Sequence, residues 1–105
     1  MDMLEVRGHC LVVHLPEELD HHRTEEIRRE IDRIVSSRPV EEVEFDFSRT
    51  AFMDSAGIGM LIGRYKIMKA LNGGIRLSHM NRQIQRILSL SGVLKYMKLE
   101  REDAV

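Results

Sequence analysis

Val43-Glu44-Phe45-Asp46-Phe47 alternates apolar and acidic residues, and soon afterwards Phe52-Met53-Asp54-Ser55-Ala56-Gly57-Ile58-Gly59 opens a longer apolar run. The first stretch has the period of two that a strand with one buried face requires. The second sets two capping residue types, Asp54 and Ser55, before a helix predicted from Ser55 to Leu71 and stopped by Asn72-Gly73-Gly74. A strand feeding a helix through a short loop is the building unit of an α/β fold, so the same alternation is sought on either side.

Upstream, Met3 to Arg7 and Cys10 to Leu15 read as two strands joined through Gly8-His9, a hairpin that Pro16 ends. From Asp20 the pattern turns helical: Ile27, Ile31, Ile34 and Val35 make a narrow apolar stripe on a charged segment that Pro39 closes. Asp20 or Thr24 is placed to cap it, and Glu25–Arg29 and Glu30–Arg33 are spaced for helical ion pairs. Downstream, Ile75 to Met80 reads as a strand, and Asn81 caps a third helix carrying Ile84, Ile87 and Leu88. Gly92 ends that helix, Leu94 to Leu99 reads as a last strand, and the tail Glu100 to Val105 is expected to fray. The order β-β-α-β-α-β-α-β predicts one α/β domain over residues 1–105. Its sheet should be mixed but mostly parallel, with an N-terminal hairpin and flanking helices on right-handed crossovers.

Composition narrows the function classes. At 105 residues with 43% hydrophobic and 31% charged residues, the chain can bury one real core and is not a disordered segment. A formal net charge of −1, with Arg23, Arg28, Arg29 and Arg33 interleaved among acids, leaves no basic footprint for nucleic acid or an anionic membrane. Cys10 is the lone cysteine, which excludes a disulfide framework and fits a reducing compartment. The first ten residues hold Asp2, Glu5 and Arg7 and do not resemble a secretion signal; a cytoplasmic protein is expected. His21 and His22 are adjacent and point to different helix faces, so neither a metal site nor a cofactor is expected.

Ser55 admits several roles. It, or Asp54 before it, can cap the helix. A phosphate-binding loop fits poorly, because the segment lacks the lysine and spacing of a P-loop and Gly57-Ile58-Gly59 alone is a weak signal. A nucleophile fits poorly too: Met53 stands where an elbow would need glycine, and nothing ties His21, His22 or His79 to the hydroxyl. A cap and a phosphorylation switch remain open.

Gly57, Gly59 and Gly63 each cost about 1 kcal/mol relative to alanine in a helix interior, so they need a reason. Either a neighbouring element of the domain packs closely there, or another molecule does. On a helical wheel Ile58, Leu61, Ile62, Tyr65 and Met68 share one face, while Gly59, Met60, Gly63, Ile67, Ala70 and Leu71 share much of the other, with Arg64 and Lys66 at its margins. A helix apolar on both sides is sandwiched in a core or displays an interaction surface beside Ser55.

Glu18-Leu19-Asp20-His21-His22, Phe52 to Gly59, Gly63-Arg64-Tyr65-Lys66 and Leu90-Ser91-Gly92-Val93 together resemble the STAS (sulfate-transporter and anti-sigma-antagonist) domain family. Within it they are similar to the anti-sigma factor antagonists of the sporulation branch. The likeness covers nearly the whole chain, and Asp-Ser-x-Gly-x-Gly is its most specific segment. It implies a non-enzymatic protein that binds a serine-kinase anti-sigma factor and frees the sigma factor. The kinase would then phosphorylate Ser55 and release the antagonist, and a PP2C-type phosphatase would restore it. The resemblance implies Asp20 and Asp54 as acidic neighbours of Ser55, and Ala56, Gly57, Gly59, Met60 and Gly63 as partner contacts. A stress-response circuit and a nucleotide-binding regulatory module are the alternatives. Ala56 departs from relatives with a second hydroxyl residue there, and Glu17 from those with glycine before Glu-Leu-Asp.

Overall fold

A computed structural model describes residues 3–99 of the chain, so the tail at 100–105 lies outside the described residues. The hairpin forms as expected: β1 (Leu4–Arg7) pairs antiparallel with β2 (Cys10–His14), and Gly8 turns between them at φ 60°. A backbone at that φ favours glycine because a Cβ would crowd the following carbonyl. α1 (His21–Ser37) carries the chain across to β4 (Glu42–Asp46), which lies parallel beside β2. α2 (Ser55–Ala70) returns it to β6 (Gly74–Ser78), parallel to β4, and α3 (Arg82–Ser91) leads to β7 (Lys98–Leu99) beside β6. The five-stranded sheet therefore runs β1-β2-β4-β6-β7, mixed only at its hairpin edge.

Strand alternation divides the sheet into two faces. Leu11, Val13, Val43, Phe45, Ile75 and Leu77 point into the core, where they meet Ile27 and Ile31 of α1, Leu61 and Met68 of α2, and Ile84 and Leu88 of α3. Full burial of each such side chain is worth about 1.5–3 kcal/mol, which makes this layer the main source of stability. The opposite face carries Glu42, Glu44 and Arg76, tied by an Arg76–Glu42 ion pair at 2.7 Å and a Ser78 hydroxyl donating to Glu44 at 2.7 Å.

Three expectations change. The last strand is shorter than expected: Val93–Lys95 form a 3-10 turn and only Lys98–Leu99 pair. His79 is not on a strand; it follows β6 at φ 56°. Two further strands escaped the reading altogether. β3 (Glu18–Leu19) and β5 (Phe52–Met53) form a separate two-stranded parallel ribbon, with Leu19 opposite Met53. At two residues each they are too short to show any periodicity.

Candidate functional site

The small ribbon builds the site. Because Leu19 and Met53 are register partners, the next residue on each strand, Asp20 and Asp54, begins a helix at the same level. The Asp54 N–H donates to the Leu19 carbonyl at 3.3 Å, which fastens the two helix entries together. Each aspartate is in extended backbone and turns its carboxylate onto its own helix. Asp20 accepts from the Arg23 N–H at 2.9 Å, and Asp54 from the Ala56 N–H at 2.9 Å. Each cap is worth about 1 kcal/mol and keeps one charge at the positive end of a helix dipole.

Ser55 is thereby displaced from the role of cap. Asp54 is the N-cap of α2, and Ser55 is the first helical residue, with its side chain exposed. Ser55 is thus exposed directly after Asp54, at the end of the ribbon from which both helices start. Three residues earlier on β5, Phe52 is 51% exposed, an apolar ring left at the surface of the ribbon.

Behind this corner the loop from β4 is held by a polar cluster. His14 Nδ1 lies 2.8 Å from Asp46 Oδ2, and its Nε2 lies 2.9 Å from Glu5 Oε1. Ionised carboxylates only accept, so both ring nitrogens must carry protons, and the pair holds His14 as an imidazolium above its ordinary pKa. Arg7 and then His14 draw the Glu5 carboxyl down to about 2. Burial by itself would raise the Asp46 carboxyl. The Ser48 N–H, donating at 2.9 Å, and the His14 ring prevail and leave it below the usual range. His79 Nδ1 is 3.3 Å from Asp46 Oδ1, so this histidine faces Asp46.

The STAS domain family model matches residues 3–104. The chain belongs to the STAS family. This STAS domain is 34% identical over 99 residues to the anti-sigma F factor antagonist of Paenibacillus polymyxa, covering 94% of this chain and 84% of the relative. It resembles the solved anti-sigma factor antagonist SpoIIAA in its unphosphorylated form, with TM-score 0.84, 31% identity, and 96% and 90% of the two chains covered. The phosphorylated form of a Bacillus SpoIIAA superposes with TM-score 0.75 at 32% identity, covering 96% of this chain and 93% of that one.

Within this STAS domain the expected contact residues separate into two groups. Asp20, Asp54, Ser55, Ala56 and Gly59 gather at the helix entries or along the adjacent start of α2. Gly57 and Met60 do not face outward. A Cβ on Gly57 would come within 2.5 Å of Met53 Cγ, so this glycine lets α2 pack against the ribbon. Met60 is only 5% exposed and belongs to the core, because the buried stripe of α2 runs Gly57, Met60, Leu61, Arg64 and Met68. The two apolar faces expected for α2 are therefore cut differently: Met60 leaves the outer one. Gly63 is partly exposed, and a Cβ there would meet nothing within 4 Å.

Arg64 is the residue that sequence reasoning misplaced most. Read as lying at the margin of a face, it is buried and pairs with Asp32 of α1, Nε to Oδ1 at 3.0 Å. Burial pushes the Arg64 guanidinium down, and Asp32 partly restores it. The signal was in the spacing: residues 57, 61, 64 and 68 fall at i, i+4, i+7 and i+11, the stripe that faces inward.

Proposed function

We propose that this STAS domain is an anti-sigma factor antagonist whose docking surface is the paired helix entry at Ser55, and whose binding is switched off by phosphorylation of Ser55. One observation carries the reading: an exposed serine at the first residue of α2, directly after the N-cap Asp54, whose strand the β3–β5 ribbon holds in register with the strand leading to the N-cap Asp20. The likeness to an anti-sigma F factor antagonist supports the same reading. So does the likeness to a SpoIIAA solved both without and with phosphate. The role is binding, with no catalytic step of its own. The partner is a serine-kinase anti-sigma factor, a PP2C-type phosphatase reverses the modification, and the circuit is that of sporulation in the cytoplasm.

The physics of the switch follows from where the serine stands. A phosphate adds about −1.5 to −2 charges at neutral pH. At a helix N-terminus the dipole and free N–H groups favour that charge by roughly 0.3–1 kcal/mol when exposed. Asp20 and Asp54 oppose it, so the domain itself is left nearly neutral to the modification. A partner docked at the same corner must desolvate the dianion, accommodate its bulk and face the summed charge of phosphate and two carboxylates. Those costs fall on the complex and not on the fold.

The test is incubation with a serine-kinase anti-sigma factor and ATP, followed by mass-spectrometric mapping. The expected product carries one phosphate on Ser55 and none forms on Ser55→Ala; phosphate at another residue, or none, would overturn the assignment.

A further inference from the structure

α2 holds two kinds of glycine, and only one is explained by the fold. Gly57 gives way to Met53 and Leu19, but a Cβ on Gly59 or Gly63 would meet nothing within 4 Å. No neighbour among the described residues requires them, although each is unfavourable in a helix interior. With Ala56 they form a stripe at i, i+3 and i+7 along one side of α2, starting beside Ser55. Such a stripe by itself says only that something could come close.

The adjoining groove says what would come. Between α1 and α2 lies a hollow of about 180 Å³, whose lining includes Ala56, Gly59 and Arg64 on one side and His21, Glu25 and Arg28 on the other. The Arg64 side chain is 9% exposed. Its Nη1 is buried and has no hydrogen-bond acceptor among the described residues. Asp32 Oδ1 stands 3.0 Å from Nε but off the direction of the N–H, so that contact is Coulombic and leaves the donor undirected. The other charges at the groove are already engaged: Glu25 with Arg28 and Arg29, and Arg28 also with Asp32. These groups are three guanidiniums, Arg28, Arg29 and Arg64, against two carboxylates, Glu25 and Asp32, so they keep an excess positive charge together with a donor that lacks an acceptor. A buried donor without one is costly, and a guanidinium fork matches the two oxygens of a carboxylate.

We propose that the α1–α2 groove receives an aspartate or glutamate side chain of the partner protein. The stripe Ala56, Gly59 and Gly63 admits the partner's backbone, and Arg64 donates to the partner's carboxylate, the missing acceptor. This rests on the docking role proposed for the start of α2 and adds the chemistry that the partner must present. The groove also explains why Gly59 is a glycine when none of the described residues crowds it.

Two measurements decide it. Calorimetric titration with the anti-sigma F factor of Paenibacillus polymyxa compares the wild type with Gly59→Val and Arg64→Gln. Each substitution should weaken binding about tenfold or more, since a hydrogen bond to a charged group is lost or its approach is blocked. Gly59→Val should melt at or above the wild-type temperature, which separates lost docking from lost folding. Replacing the partner's carboxylates one at a time by amides should find one whose effect vanishes in Arg64→Gln. A folded Gly59→Val that binds like the wild type, or the absence of any such coupled carboxylate, overturns the proposal. If the wild type fails to bind, the docking role itself fails, and the groove is judged by acetate titration of the isolated protein. Saturable shifts of the Arg64 Nε–H and Gly59 amide resonances that sodium chloride at equal ionic strength does not reproduce would support an acceptor site; equal shifts with both salts would overturn it.

Discussion

Gly57→Ala and Gly59→Ala make the same chemical change two residues apart in one helix, and they should move stability in opposite directions. At Gly59 the added methyl meets nothing within 4 Å, so only the backbone term acts. Alanine is favoured over glycine in a helix interior by about 0.8–1.0 kcal/mol, and the variant should gain about that much. At Gly57 the same gain is opposed. The new Cβ would lie 2.5 Å from Met53 Cγ, 3.0 Å from Met53 Sδ and 3.2 Å from Leu19 Cδ2. Met53 and Leu19 are buried residues of the β3–β5 ribbon, and the closest atom is near the root of the Met53 side chain rather than its free end. Overpacking of this kind costs about 1–3 kcal/mol, so Gly57→Ala should come out neutral to about 2 kcal/mol less stable. The two variants should therefore differ by roughly 1–3 kcal/mol, or several degrees in melting temperature for a domain of this size. Urea denaturation followed by circular dichroism, with slopes compared to check two-state unfolding, reads the difference. A Gly57→Ala protein as stable as Gly59→Ala would refute the close seating of α2 on the ribbon.

The polar cluster at the sheet edge predicts a dependence on pH. His14 faces Glu5 and Asp46, with Arg7 and His79 alongside, and its folded pKa is raised. Its contribution is fully present below the ordinary histidine value of about 6.5 and is lost as pH climbs through the higher folded value. The urea midpoint of the wild type should fall across that alkaline window while His14→Gln stays flatter there; parallel curves would remove the imidazolium from the account. Asp54→Ala deletes the cap on the Ala56 N–H and should lower stability by about 1 kcal/mol, readable as a shifted melting midpoint. No shift would mean that Asp54 does not cap α2 in solution.

Much of the architecture was legible because it rests on repeating patterns. Val43, Phe45 and Phe47 alternate with acids and are buried, and Asn81 and Gly92 bound α3 as their chemistry demands. What was not legible depends on partners distant in sequence. Two-residue strands have no period of their own, and Glu18–Leu19 is a strand only because Phe52–Met53 lies beside it. The same ribbon decides that Asp54 caps α2 and that Ser55 is left free at its surface. The glycines show the limit most sharply: Gly57 and Gly59 look alike in the sequence, and only the position of Met53 tells them apart. Arg64 was obscured for another reason, since a charged residue on an inward stripe reads as a face boundary until Asp32 is placed opposite it.

The central claim is that phosphate on Ser55 acts on docking and spares the fold. Its most direct test is to measure, for the bare and the Ser55-phosphorylated protein side by side, the melting temperature and the affinity for the anti-sigma F factor. Repulsion and desolvation at a charged interface should weaken binding on the order of a hundredfold, with the melting temperatures nearly equal. Equal affinities would contradict the switch, and a phosphorylated protein that loses its partner only because it has unfolded would contradict the mechanism.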